Sequence, residues 1–282
     1  MFNLKKMFRD QNLDLFLDKN FTRLPFSIPR GSQDFTSYLT WPVVEEIFKA
    51  QKSILRIVKD GAMVKDHIDL GYQEALTYYQ QGHTLLLKNA ERSHSLLREL
   101  ADDFSKSFHT EVDIQLYCTP ENHNAFGWHY DIEEVFILQT KGSKLYSIRQ
   151  NTVHPYPLVS SISKDFGYEK ETSELEIKVL LKEGDWLYIP SGWWHIARTQ
   201  SESMHISIGL MPRSAVDVAN FLPQYLSHHS FWRTRMPVHK KFHDEKEEVS
   251  FYQDAMKTLG KDLENTISDP DFIKKLLTHL KK

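Results

Sequence analysis

FGWHYDIEEVFILQTKGSKLYSI, residues 126–148, sets a candidate metal-binding pair directly before two strand-like runs. In His129-Tyr130-Asp131 an extended backbone sends residues i and i+2 to one face, so an imidazole nitrogen and a carboxylate oxygen converge. Glu134–Gln139 reads as a strand, Lys141-Gly142-Ser143 as a tight hairpin and Lys144–Ile148 as the next strand. If that hairpin pairs normally, Lys144, Tyr146 and Ile148 share one face. With that face inward, Lys144 is a cation inside an apolar barrel. A buried ammonium is costly unless paired, so an anionic partner is expected.

The third ligand comes from EGDWLYIPSGWWH, residues 183–195. Gly184-Asp185 reads as a turn, Trp186–Pro190 as a strand and Ser191-Gly192 as a second turn that delivers His195. Two histidines and one carboxylate on one face of a metal leave about three positions open, the facial triad of non-heme Fe(II) oxygenases. Zn(II), Mn(II), Co(II) and Ni(II) accept the same atoms. A lone H-x-D also fits a solvated histidine beside a turn-capping Asp, and only the surrounding strands favour the metal.

Working outward, strand candidates are HTLLLK (83–88), Val112–Thr119, Leu175–Leu181 and Met204–Leu210, with helices expected at 41–52 and 93–108 and a long loop at 149–174. Many short antiparallel strands after a helical lead-in indicate a mainly β fold with helices (α+β), built on a jelly-roll core. After residue 213 strand signals stop. Ala215–Leu226, Glu247–Lys261 and a segment opening at Asp269-Pro270 read as helices with apolar stripes.

Thirty-five basic against 38 acidic residues give a net charge of -3. That balance, with no basic-aromatic stripe, argues against direct nucleic-acid binding. No apolar run approaches the ~20 residues of a membrane span. The single Cys118 excludes an intrachain disulfide and a cysteine zinc framework, so a reducing, cytoplasmic setting is expected. His239 and His243 are four residues apart, a spacing that can bind zinc on a helix, but they lack an obvious third ligand.

Together with RLPFSIPRG (23–31), GHTLLLKNA (82–90), VDIQLYCTP (112–120) and MHISIGL (204–210), these motifs resemble the JmjC (cupin-like) 2-oxoglutarate- and Fe(II)-dependent oxygenases, within them the ribosomal-oxygenase-type protein hydroxylases. The resemblance implies a double-stranded β-helix holding Fe(II) on His129, Asp131 and His195, with 2-oxoglutarate as co-substrate and Lys144 on its distal carboxylate. Gln115, Tyr117 and Thr119 alternate on one strand face, either lining the co-substrate pocket or packing in the core. His205 is either a support behind metal and co-substrate or an ordinary core histidine. The implied organisation is an N-terminal segment (1–22), the oxygenase domain (23–213) and a helical region (214–282) that mediates homodimerisation or folds back on the barrel. The implied activity is hydroxylation of a protein or peptide side chain. The alternatives are a small-molecule or natural-product-peptide hydroxylase, an N-methyl-lysine demethylase, a Zn- or Mn-dependent isomerase or hydrolase, and a cupin-like binding protein without turnover.

Overall fold

Alternation along the strands sorts their side chains into two layers. A computed structural model describes residues 4–9, 13–158, 170–211, 213–235 and 241–280. It divides into two compact units, Met1–Pro212 and Arg213–Lys282.

The first unit opens with helices α1 (Leu4–Phe8) and α2 (Leu13–Lys19), strand β1 (Phe26–Ile28) and helix α3 (Trp41–Ala50). A hairpin follows, β2 (Ile54–Lys59) and β3 (Ala62–Ile68), then α4 (Tyr72–Gln80), β4 (Thr84–Lys88) and α5 (Ser95–Phe108). Next come β5 (Val112–Thr119), β6 (Glu134–Lys141), β7 (Ser143–Arg149), β8 (Glu176–Lys182), β9 (Trp186–Ile189), β10 (Trp194–Thr199) and β11 (Ser203–Leu210). Eight strands form one sheet in the order β1-β9-β6-β11-β5-β4-β2-β3, and three form a second, β10-β7-β8. The described pairings are antiparallel, and the two sheets are those of a jelly roll.

The large sheet buries one face against helices. Ile114, Leu116 and Cys118 of β5, Phe136 and Leu138 of β6, and Ile206, Ile208 and Leu210 of β11 join Leu97, Leu100 and Phe104 of α5 in one core. Trp186 sits in it, and its indole N–H donates to the Met7 carbonyl at 2.8 Å. Gly31 lies against that pair, with no room for a Cβ. The opposite parity looks into the barrel. There Val135 and Ile137 of β6 and Leu187 and Ile189 of β9 pack on Tyr146 and Ile148 of β7 and Leu181 of β8. Asp113, Gln115, Tyr117 and Thr119 of β5 share this parity, as do His205 and Ser207 of β11.

Two local expectations change. The turn at Gly142 does not close a hairpin, because β6 pairs with β9 and β11 while β7 pairs with β8 and β10. Gly142, at φ +69°, is a corner that carries the chain from one sheet to the other, and the Glu202 carbonyl fills the space of its missing side chain. The inward parity of Lys144 survives, since Lys144, Tyr146 and Ile148 are all buried. His195 lies on a strand, β10, rather than at the end of a turn. The expected 149–174 loop is described as non-strand over 151–158, and residues 159–169 lie outside the described residues.

The second unit holds α6 (Ala215–Leu226), α7 (Glu245–Ile267) and α8 (Pro270–Leu280). Ser214 caps α6 by accepting from the Asp217 N–H, and Asp244 caps α7 by accepting from Glu247. Phe221, Phe272 and Leu276 form its small core. His239 of the suggested His239/His243 pair lies outside the described residues. No helix among the described residues is long and apolar enough to cross a membrane.

Candidate metal centre

His129 and His195 meet through their backbones before their side chains are considered. They form an isolated antiparallel bridge, with His195 N–H donating to the His129 carbonyl at 2.8 Å and the reverse bond at 3.2 Å. Gly192 N–H donates to the Asp131 carbonyl at 2.8 Å, fixing the third residue. Gly192 adopts φ +81° against Pro155 and Pro157, a left-handed turn with no room for a Cβ.

One ligand atom from each of His129, Asp131 and His195 lies within 4.8 Å of the others, the only such group among the described residues. The His195 Nε2 to Asp131 Oδ2 distance is 3.5 Å, and the imidazole centroids are 4.2 Å apart. Each histidine turns Nδ1 to a backbone carbonyl, His129 to Gly127 at 2.7 Å and His195 to Trp193 at 3.1 Å. A carbonyl only accepts, so Nδ1 carries the proton and the Nε2 lone pair is free for a metal. Burial, and then neighbouring His129, push the His195 pKa down to about 4, so the ring is neutral near neutral pH. Two imidazoles and a half-exposed carboxylate fit a divalent cation and leave coordination positions open.

Lys144 lies deeper in the barrel and is 2% exposed. Its Nζ donates to Thr119 Oγ1 at 3.1 Å and to His205 Nδ1 at 3.2 Å, and no carboxylate pairs with it among the described residues. Burial pushes its pKa down to about 7. Burial, and then Lys144, hold His205 well below the usual histidine range, so His205 is a neutral acceptor. Tyr117, directly across from His205, stacks on it at 4.6 Å and 10°, and Lys144 Nζ lies 5.8 Å from the Tyr117 ring. Burial, followed by Asp131 and Glu133, raises the Tyr117 phenol. Thr119, Tyr117 and His205 therefore surround the ammonium. Gln115 does not reach it: its amide donates to Asp113 at 2.9 Å and its carbonyl accepts from the Tyr117 hydroxyl at 3.3 Å.

Beside Asp131 lie two further carboxyl groups, Glu133 and Glu134. Glu134 is buried and accepts from the Tyr188 hydroxyl and from Ser191 N–H at 3.3 Å, bracing the turn that precedes His195. Glu133 folds over Gly209, and burial, Asp131 and Asp113 push its pKa up to about 7. Tyr146, two residues after Lys144 on the inward face, is buried in the same barrel. Trp194 is buried in the core, while Arg149 pairs with Glu176 at 2.8 Å and lies 5.4 Å from the Trp128 ring.

The JmjC domain family matches residues 90–218. The bifunctional lysine-specific demethylase and histidyl-hydroxylase NO66 of Drosophila persimilis is 31% identical over 149 residues, covering 53% of this chain and 21% of that protein. The Drosophila mojavensis protein of the same name is 28% identical over 170 residues, covering 57% and 19%. The chain thus spans about a fifth of the length of the curated relatives it matches. In fold it is similar to YcfD, a ribosomal oxygenase from Escherichia coli solved with cobalt and 2-oxoglutarate, at TM-score 0.67 and 18% identity over 96% of this chain and 71% of that one.

Proposed function

Because residues 90–218 carry a JmjC domain, we propose that the chain is an Fe(II)- and 2-oxoglutarate-dependent dioxygenase that hydroxylates a side chain of a protein substrate. The observation that carries this reading is the pairing of the His129–Asp131–His195 cluster with an ammonium, Lys144, buried in the same barrel without a carboxylate partner among the described residues. A metal alone accounts for the cluster but not for Lys144. A dianion that chelates the metal at one end accounts for both.

In this reading His129, Asp131 and His195 hold the metal through Nε2, a carboxylate oxygen and Nε2. Lys144 neutralises the far carboxylate, with Thr119 and His205 fixing its Nζ. Bound iron and 2-oxoglutarate supply an oxidant from dioxygen as the oxo acid is converted to succinate and carbon dioxide. The apolar wall of Val135, Ile137, Leu187 and Ile189 keeps water from the buried end. Glu133, beside the metal ligand Asp131, is a second carboxyl that a basic or nitrogen-bearing side chain would pair with. The NO66 relatives are named for lysine demethylation and histidine hydroxylation, which supports a protein substrate.

Our reading assigns residues 23–213 to the oxygenase domain, preceded by the 1–22 segment, and 214–282 to association. Helix α7 has no buried residue, and Val249, Met256, Ile273 and Leu277 are exposed apolar side chains on α7 and α8, which supports a homodimer built through this region. The lone, buried Cys118 supports a cytoplasmic location.

The test is an anaerobic visible spectrum of metal-free protein titrated with Fe(II) and then 2-oxoglutarate. Chelation of Fe(II) by the oxo acid gives a charge-transfer band, expected in the wild type and absent from Asp131→Ala. No band with iron demonstrably bound would overturn the assignment.

A further inference from the structure

Tyr146 carries a hydroxyl with no hydrogen-bond partner among the described residues, although the residue is 2% exposed. Leaving a hydroxyl buried and unpaired costs about 1–3 kcal/mol. The side chain belongs to the interior apolar cluster, so its hydroxyl lies inside the barrel rather than against the outer helices. The register of β7 on β10 fixes where. Ile148 faces His195, Lys144 faces Thr199, and Tyr146 faces Ala197 between them. Tyr146 therefore stands in the row between the candidate metal ligand and the buried ammonium. Lys144, two residues before it on the same face, brings its Nζ within 5.8 Å of the Tyr117 ring.

Resting on the oxygenase reading above, we propose that the Tyr146 hydroxyl is a co-substrate hydrogen-bond donor, bonded to the same distal carboxylate that Lys144 neutralises. Lys144 supplies charge and Tyr146 supplies direction. A carboxylate has about four lone-pair sites, so one ammonium does not satisfy it, and a phenol is a donor that needs no counter-charge when the site is empty. An orphaned hydroxyl in the free protein becomes a paired one in the complex, and the binding equilibrium gains that difference.

The test is Tyr146→Phe, which removes one buried oxygen and keeps the ring packing. Affinity is read from the anaerobic charge-transfer titration, and stability from denaturant unfolding of the metal-free protein. The proposal expects 2-oxoglutarate to bind Tyr146→Phe about tenfold or more weakly, with stability unchanged or increased. It also expects 2-oxobutyrate, which lacks the distal carboxylate, to bind wild type and variant alike. Wild-type affinity for 2-oxoglutarate in the variant would overturn the proposal and leave the oxygenase reading intact. An equal penalty for both acids would also overturn it. If the wild type gives no band at all, the oxygenase reading falls and this inference with it.

Discussion

Replacing Lys144 by Met should stabilise the metal-free protein at mildly acid pH while weakening co-substrate binding. Met has similar length and no charge, so it fills the same space between Thr119 and His205. The ordinary lysine value is 10.5 and burial lowers it to about 7. At ~1.4 kcal/mol per tenfold change in proton affinity, that gap is on the order of 5 kcal/mol. Below pH 7 the amine is charged in both states, and the folded state bears the whole cost. Between about 7 and 10.5 the unfolded chain binds the extra proton, so wild-type stability rises with pH across that window. Met forfeits two hydrogen bonds of ~1 kcal/mol each. The variant should therefore gain about 3 kcal/mol near pH 6 and almost nothing near pH 9. Denaturant unfolding of metal-free protein at both pH values measures this. In the charge-transfer titration the same variant should need about two hundredfold more 2-oxoglutarate or beyond, since removing one partner of a buried pair costs about 3–5 kcal/mol. Equal destabilisation at both pH values would refute the reasoning: Lys144 would then be an ordinary structural lysine, not a charge held in reserve for an anion.

Two further substitutions probe the frame around the site. Gly142→Ala places a side chain at φ +69° against the Glu202 carbonyl and should cost about 2–4 kcal/mol; it should weaken 2-oxoglutarate binding through Lys144 while metal affinity, read by competition with a chelator, stays near wild type. Trp186→Phe leaves the buried Met7 carbonyl unpaired and should lower unfolding free energy by about 2–4 kcal/mol, with the charge-transfer titration unaltered.

The parts of the fold that were legible are those where one side-chain rule dominates. β5, with its alternating Ile114, Leu116 and Cys118, appears at the expected bounds Val112–Thr119. Lys144 was placed inward by parity alone, although the hairpin from which that parity was argued does not exist. Parity depends on the strand's own pleat, not on which sheet it joins. The β2–β3 hairpin went unread even though Asp60-Gly61 carries its turn signal, with φ of +49° and +88°. β10 was hidden because Trp194–Thr199 mixes Trp, His, Ala and Arg without clean alternation. At the site, the three candidate ligands were visible as residue types at fixed spacing. The contacts of Thr119, His205 and Tyr117 with Lys144 were not, because they depend on how β5 and β11 register against each other and on the reach of a side chain from the opposite sheet.

The reciprocal backbone bridge between His129 and His195 bears on how the protein acquires its metal. The main-chain bonds that join the two histidines involve no cation, so the two imidazoles should keep their places when no metal is bound. Occupancy is then set by supply: by which divalent ion is plentiful when the chain is made and how long that ion stays.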